Sequence, residues 1–236
     1  MKLIAPFIII FILSISHHTA TSQEQFAEYD SCYSKAYSFN NINTDSSIFY
    51  GFAAFAAAQA VSKPELQINA LKLIINTQVK KGDYTKAILN CLKADSIVSV
   101  NNLNNSIAEI LMYKGLVFQA SGLSAEGLKY FFEAKKMTEA SDDKSFMAEL
   151  DYYLALTYYK INEMEKSREY AKQAISADLL ENDSTGVVKS LALISSTFQN
   201  IDSVSYYLQL ADNISRQNKV NFYNRAALLN NLALFY

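Results

Sequence analysis

The chain has 236 residues, of which 50% are hydrophobic and 19% charged, with 6 Gly, 2 Pro and a formal net charge of -2. This composition can bury a core and excludes a disordered chain, and so few helix breakers favour long helices with short polar turns over a β-rich fold. No basic run exceeds two residues, as at Lys80-Lys81, so the footprint of a nucleic-acid-binding surface is missing.

Met1-Lys2 and the apolar run from Leu3 to Ile15 have the charged start and apolar middle of a secretory signal, too short for a membrane span. Ala20-Thr21-Ser22 places small residues where signal peptidase reads. Cleavage before Gln23 and an exported, periplasmic mature chain are therefore predicted. Residues 1–22 also carry His17 and His18, the only histidines. A mature chain without histidine cannot run a Ser-His-Asp or Cys-His mechanism, nor offer imidazole to a metal. Cys32 and Cys91 lack metal-ligand spacing and sit among apolar helical neighbours, the setting of buried free thiols. No cofactor and no metal are expected.

In chain order, Ser31 to Phe39 reads as a helix, Asn40-Asn41-Ile42-Asn43 as a turn, and Asp45 as the cap of a helix from Ser46 to Val61. Ala53, Ala54 and Ala57 give that helix a face for close packing. Pro64 suits the first turn of the next helix, Leu66 to Lys80. Lys81-Gly82-Asp83-Tyr84 then turns the chain into Thr85 to Val98, where Ala87, Cys91 and Ala94 hold small, core and small places. The clearest copies follow. Tyr113-Lys114-Gly115-Leu116-Val117-Phe118 precedes Gly127, Phe131 and Ala134, and Tyr153-Leu154-Ala155-Leu156-Thr157-Tyr158 precedes Ser167, Tyr170-Ala171 and Ala174 at the same spacing. A fifth copy has Ala192, Tyr207 and Ala211, with a shortened turn at Gln199-Asn200-Ile201-Asp202. Asn224 to Tyr236 reads as a first helix without a second, which predicts that this is the amino-terminal part of a longer protein.

A small residue, an aromatic three later and small residues twelve and nineteen later describe two helices touching where their side chains are smallest. This pattern resembles the tetratricopeptide repeat (TPR) family. The resemblance implies an all-α, right-handed superhelical solenoid of antiparallel helix pairs. Residues 1–22 are then a signal peptide, 23–65 a degenerate first repeat, and 66–236 a solenoid of about four further repeats, the last incomplete. Ala87, Gly127 and Ser167 lie forty residues apart, longer than the common repeat of about 34, and the excess is assigned to extended second helices and loops such as Glu139 to Asp143. Ile75 departs from the pattern by replacing the small residue of the second copy.

In this family the first helices line the concave, ligand-binding face. The resemblance therefore nominates Lys72, Asn76, Lys80, Gln119, Tyr152, Tyr159, Lys160, Lys189 and Asn230, with Asn69, Met112 and Ser196 on the same face. Lys72 and Asn76 are similar to part of a carboxylate clamp, although Tyr113 and Tyr153 stand where further clamp residues belong. The acidic pairs Asp142-Asp143, Glu163 with Glu165, and Glu181 with Asp183 fall in turns or at helix starts, where carboxylates cap free amides. The implied function is non-enzymatic binding of a protein or peptide. The chain is similar to the exported sensor region of Gram-negative bacterial membrane regulators with periplasmic TPR repeats, whose membrane segment would lie carboxyl-terminal. The alternative is a stand-alone periplasmic scaffold for envelope protein assembly.

Overall fold

The computed structural model describes residues 23–138, 143–218 and 220. Residues 1–22, read above as a signal peptide, residues 139–142 and the segment from Asn224 to Tyr236 lie outside them. Every regular element among the described residues is helical: α1 (23–39), α2 (Thr44–Ala60), α3 (Pro64–Lys81), α4 (Tyr84–Asn101), a short 3-10 turn (Asn104–Ser106), α5 (Ile107–Ala120), α6 (Ser124–Thr138), α7 (Lys144–Lys160), α8 (Met164–Leu180), α9 (Ser184–Ser195) and α10 (Ile201–Gln217). They form two compact units that divide between Ser106 and Ile107. In the first, α2 packs on α3 and α3 on α4; in the second, α5 through α10 pack in sequence. The architecture is an all-α, TPR-like array of antiparallel helix pairs.

The forty-residue period consists of two nearly equal halves. Ser62, Gly82, Asn102, Gly122, Asn162 and Asn182 adopt left-handed backbone, with φ between 53° and 91°. After each, the next amide bonds back five residues, as Asp83 does to Gln78 at 2.9 Å and Asp183 to Asp178 at 2.8 Å. This closes the carbonyls at the helix end in the manner of a Schellman cap. The excess over a shorter repeat is thus spread over both helices, since α3 and α4 each run 18 residues and α7 and α8 each run 17. The expectation that second helices and loops carry it is corrected accordingly.

Some caps differ from expectation. Asn43, not Asp45, caps α2 by accepting from the Ser46 amide at 3.0 Å, which leaves Asp45 to pair with Lys81 at 2.5 Å. Pro64 does open α3. Asp143 and Asp183 cap α7 and α9. Cys91 is buried and Cys32 half-buried, both as free thiols.

The core repeats with the same period. Ser47, Ala87, Gly127 and Ser167 share one register position and are buried in each copy; Gly51, Cys91, Phe131, Ala171 and Ala211 share another; Ala54, Ala94, Ala134 and Ala174 share a third. The motif's aromatics stack across each pair in the second unit: Phe118 on Tyr130 at 5.3 Å, Tyr158 on Tyr170 at 5.5 Å and Phe198 on Tyr207 at 5.5 Å. Gly115 shows why one member of each crossing must be small. A Cβ there would lie 2.6 Å from Cε1 of Phe131, well inside van der Waals contact. At the corresponding places of the second copy stand Ile75 and Cys91, both fully buried. Large and small have exchanged helices, so the departure at Ile75 preserves volume.

One charge is buried where the other copies are apolar. Asp151 occupies the place of Leu71, Leu111 and Leu191 and is 4% exposed. Lys135 of α6 pairs with it and also reaches Gln173 of α8 at 3.3 Å and the Tyr170 ring at 5.1 Å. Burial raises the Asp151 pKa, and the hydrogen bond from Lys135 works against that rise.

Two stability effects follow. Gly115→Ala should cost about 1–3 kcal/mol in urea unfolding, as overpacking does, and Phe131→Leu in the same chain should return part of it. Lys135→Met should cost about 3 kcal/mol by stranding the Asp151 carboxylate. The double change Lys135→Met with Asp151→Leu should recover most of that loss.

Candidate functional site

In the second unit the backbones of the first helices approach closely, α5 on α7 and α7 on α9, whereas α6 and α8 meet only through longer side chains such as Lys135 with Gln173 and Phe132 with Tyr170. The first helices therefore form an inner row, and four nominated residues of that row meet in two places. At the carboxyl-terminal ends, Lys160 donates to Gln119 Oε1 at 3.4 Å. Burial lowers the Lys160 pKa. Gln119 is itself buried, and its Nε2 has no hydrogen-bond partner among the described residues. Farther along the row, Tyr152 and Lys189 line the same cavity. Tyr152 and Tyr159 are half-buried and pack against the core made by Ala155, Ala171, Leu193 and Ile194. Their rings thus serve both packing and surface. Met112 is buried within α5, and Ser196 is exposed with its hydroxyl on the Ala192 carbonyl at 3.2 Å. Asn230 lies outside the described residues.

In the first unit Lys72, Asn69 and Asn76 are half-buried on α3. Lys80 donates to Asn40 Oδ1 at 3.1 Å and Asn41 Oδ1 at 2.7 Å, tying the end of α3 to the turn one repeat earlier. Tyr153, at a clamp position in the second unit, stacks on Phe131 with centroids 5.8 Å apart. One face of its ring is thereby taken up in packing.

The cavity on the inner row has a volume of about 150 Å3. Glu149, Tyr152 and Tyr153 of α7 line it on one side, and Gly186, Lys189 and Ser190 of α9 on the other. Asp178, from the end of α8, and Asp183, the cap of α9, close it. The repeat explains why it is open. Position 186 is Leu66, Ser106 and Phe146 in other copies, and position 190 is Ala70, Ile110 and Leu150. Relative to Phe146 and Leu150 of the preceding copy, Gly186 and Ser190 remove bulk.

Asp178 was missed by sequence reasoning, although its register betrays it. It stands four residues beyond Ala174, where the other copies bury Ala58, Val98 and Thr138. It is only 6% exposed. A methyl on Gly186 would coincide with its carboxyl group, so the glycine is what gives that group room. Ser190 is fully buried, and its hydroxyl has no hydrogen-bond partner among the described residues. Burial pushes the Asp178 pKa up to about 6; the nearby Asp183 adds to the rise and Lys189 opposes it. Among the described residues, no three His, Cys, Asp or Glu side chains approach closely enough to hold a metal ion.

Two other hollows are less suited to a ligand. One of about 300 Å3 in the first unit is lined by Asp45, Lys81, Asp83 and Lys86, which already neutralise one another. The other, about 440 Å3, is lined by residues of α8 alone and has no facing wall.

No protein-family model matches the chain, and no curated protein matches its sequence. Solved structures do. Aspartyl phosphate phosphatase F from Bacillus subtilis is similar with a TM-score of 0.65 at 14% identity, over 89% of this chain and 60% of that one. A Rap protein complexed with Competence and Sporulation Factor is similar with a TM-score of 0.63 at 15% identity, over 95% and 70%. A Signal Transduction ATPase with Numerous Domains from Pyrococcus horikoshii, which has a tetratricopeptide repeat sensor, is similar with a TM-score of 0.59 at 16% identity, over 90% and 37%. At these identities the likeness establishes the TPR-like fold alone.

The raised pKa of Asp178 has a definite consequence for stability. The folded state holds this proton more tightly than the unfolded chain, where an aspartate titrates near 3.9. Its contribution is therefore full below about pH 4 and is lost as pH rises through about 6. Asp178→Asn should raise the melting temperature at neutral pH by about 2–4 °C, the effect of about 1 kcal/mol in a chain of this length. That gain should disappear below about pH 4 in thermal scans across pH.

Proposed function

We propose that the chain is a non-enzymatic module that binds a protein or peptide segment along the inner row of first helices. In this reading it is exported and forms the sensor region of a larger membrane-anchored signalling or transcription-regulatory protein. The observation that carries the proposal is the row itself, where Tyr152 lines a cavity opened by Gly186 and Ser190, and Tyr159 and Lys160 lie farther along α7 toward its carboxyl-terminal end. Aromatic rings held by a rigid scaffold give contact area at little entropy cost. A ligand bridging α7 and α9 would favour one tilt between successive helix pairs over others, and the chain beyond would relay that preference.

The neighbours support this reading in kind. One is a Rap protein held in a complex with a factor, and another uses its repeats as a sensor. The phosphatase activity in the name of a third does not transfer at 14% identity. The absence of histidine after His18 supports a non-enzymatic role. Among the described residues no helix is long and apolar enough to cross a membrane, so the proposed anchor would lie outside them.

Random peptides displayed on phage and panned against the chain should converge on binders. Tyr159→Ala should weaken the best of them by about tenfold or more, as loss of an aromatic anchor does. A library that yields no enriched binder rejects the groove. The native gene past the Tyr236 codon should encode a membrane helix and an output domain. An immediate stop would leave the periplasmic scaffold in place of the sensor.

A further inference from the structure

Asp151 and Asp178 pose the same physical problem, and only one of them is solved within the described residues. Both are carboxylates at register positions that other copies fill with uncharged residues, and each is at least nine-tenths buried. Asp151 has Lys135 as a direct partner. Lys189 stands near Asp178 and favours its charge, but forms no ion pair with it. Beside it lie a void of about 150 Å3 and the unpartnered hydroxyl of Ser190. The lining holds Glu149, Asp178 and Asp183 against Lys189 alone, together with the rings of Tyr152 and Tyr153. An excess of negative charge, an unfilled acceptor and two aromatic rings match a compact organic cation with several N–H donors. The volume suits one side-chain head and not a longer segment.

We propose that this cavity between α7, α8 and α9 receives a guanidinium or ammonium group, with Asp178 as its counter-charge and Ser190 as a hydrogen-bond acceptor. The inference rests on the groove-binding reading above and deepens it: the groove prefers ligands that present a basic side chain at this point. Gly186 contributes by absence, since any side chain there would displace the carboxylate. Because the cation needs the ionised acid, binding weakens as pH falls through about 6. The charged and titratable groups facing Asp178 are Glu149, Tyr152 and Tyr153 from α7, Asp183 from the turn, and Lys189 from α9.

The test uses two guanidinium probes, N-acetyl-arginine methylamide and agmatine, with the uncharged N-acetyl-norleucine methylamide as control. Each is titrated into the chain and followed by NMR. Both cations should bind and the control should not. Asp178→Asn, expected to fold at least as well as the parent, should weaken the cations by about tenfold or more and abolish the pH dependence. Ser190→Leu, which restores the bulk found at Leu150, should block them. Cations that fail to bind at tens of millimolar, bind no better than the control, or bind Asp178→Asn unchanged overturn the proposal. Phage-selected peptides that bind while the cations fail would leave the groove reading intact and remove only this site. Cations that bind while no peptide does would keep the site and remove the groove. If an arginine-containing peptide binds about tenfold more tightly than agmatine, the cation belongs to a peptide side chain; equal affinity points to a free amine.

Discussion

The fold depends on how closely paired helices can approach at one crossing in every forty residues. Helix axes come near only if one side of the contact is small, and the chain meets this demand in three ways. Gly115 faces Phe131, Ile75 is matched by Cys91, and Ala155 is matched by Ala171. What recurs along the array is that at least one partner at each crossing is small, and not the identity of either residue. Gly127 makes the same point on the backbone, since a Cβ there would lie 3.1 Å from the Gly115 carbonyl oxygen. With the crossings fixed, the inner row of first helices follows, and so does the position of everything on it.

A strict period makes exceptions informative. Among the residues that break the apolar register of the second unit are Asp151, Asp178, Gly186 and Ser190. Asp151 is a structural exception, because Lys135 neutralises it and thereby joins α6, α7 and α8. The other three converge on one cavity. Two of them delete bulk and the third adds a charge that burial opposes. Each change alone weakens packing or solvation, and together they form a polar hollow. Local violations of an otherwise consistent core are where binding chemistry is expected to lie.

Much of this was legible in the sequence. The small-residue spacing at Ala87, Gly127 and Ser167 reported both the helix pairs and their forty-residue period, because side-chain size at a helix crossing is a local property. Turn chemistry was harder to read. A chain with 6 Gly was read as poor in punctuation, yet Asn102, Asn162 and Asn182 take the left-handed positions that Gly82 and Gly122 take elsewhere, as asparagine can. The inner-row residues Tyr152, Lys160 and Lys189 were found by position along the first helix. Asp178 was not, because it comes from the end of a second helix and reaches the inner row only where α8 turns into α9. Comparing positions 58, 98, 138 and 178 would have exposed it.

The contrast between the two buried aspartates links stability to function. Lys135 holds Asp151 from within the chain, and that pairing joins two successive repeats permanently. In the proposed site a bound cation would be the direct partner of Asp178, so the corresponding link among α7, α8 and α9 would form only on binding. A conformational equilibrium responds to a ligand by the difference in its affinity for the two states. A cation that bridges α7 and α9 makes that difference large, since its contacts are complete only at one spacing of the helices. The unneutralised carboxylate thus makes the unliganded array less stable at neutral pH and gives the liganded array its preferred geometry.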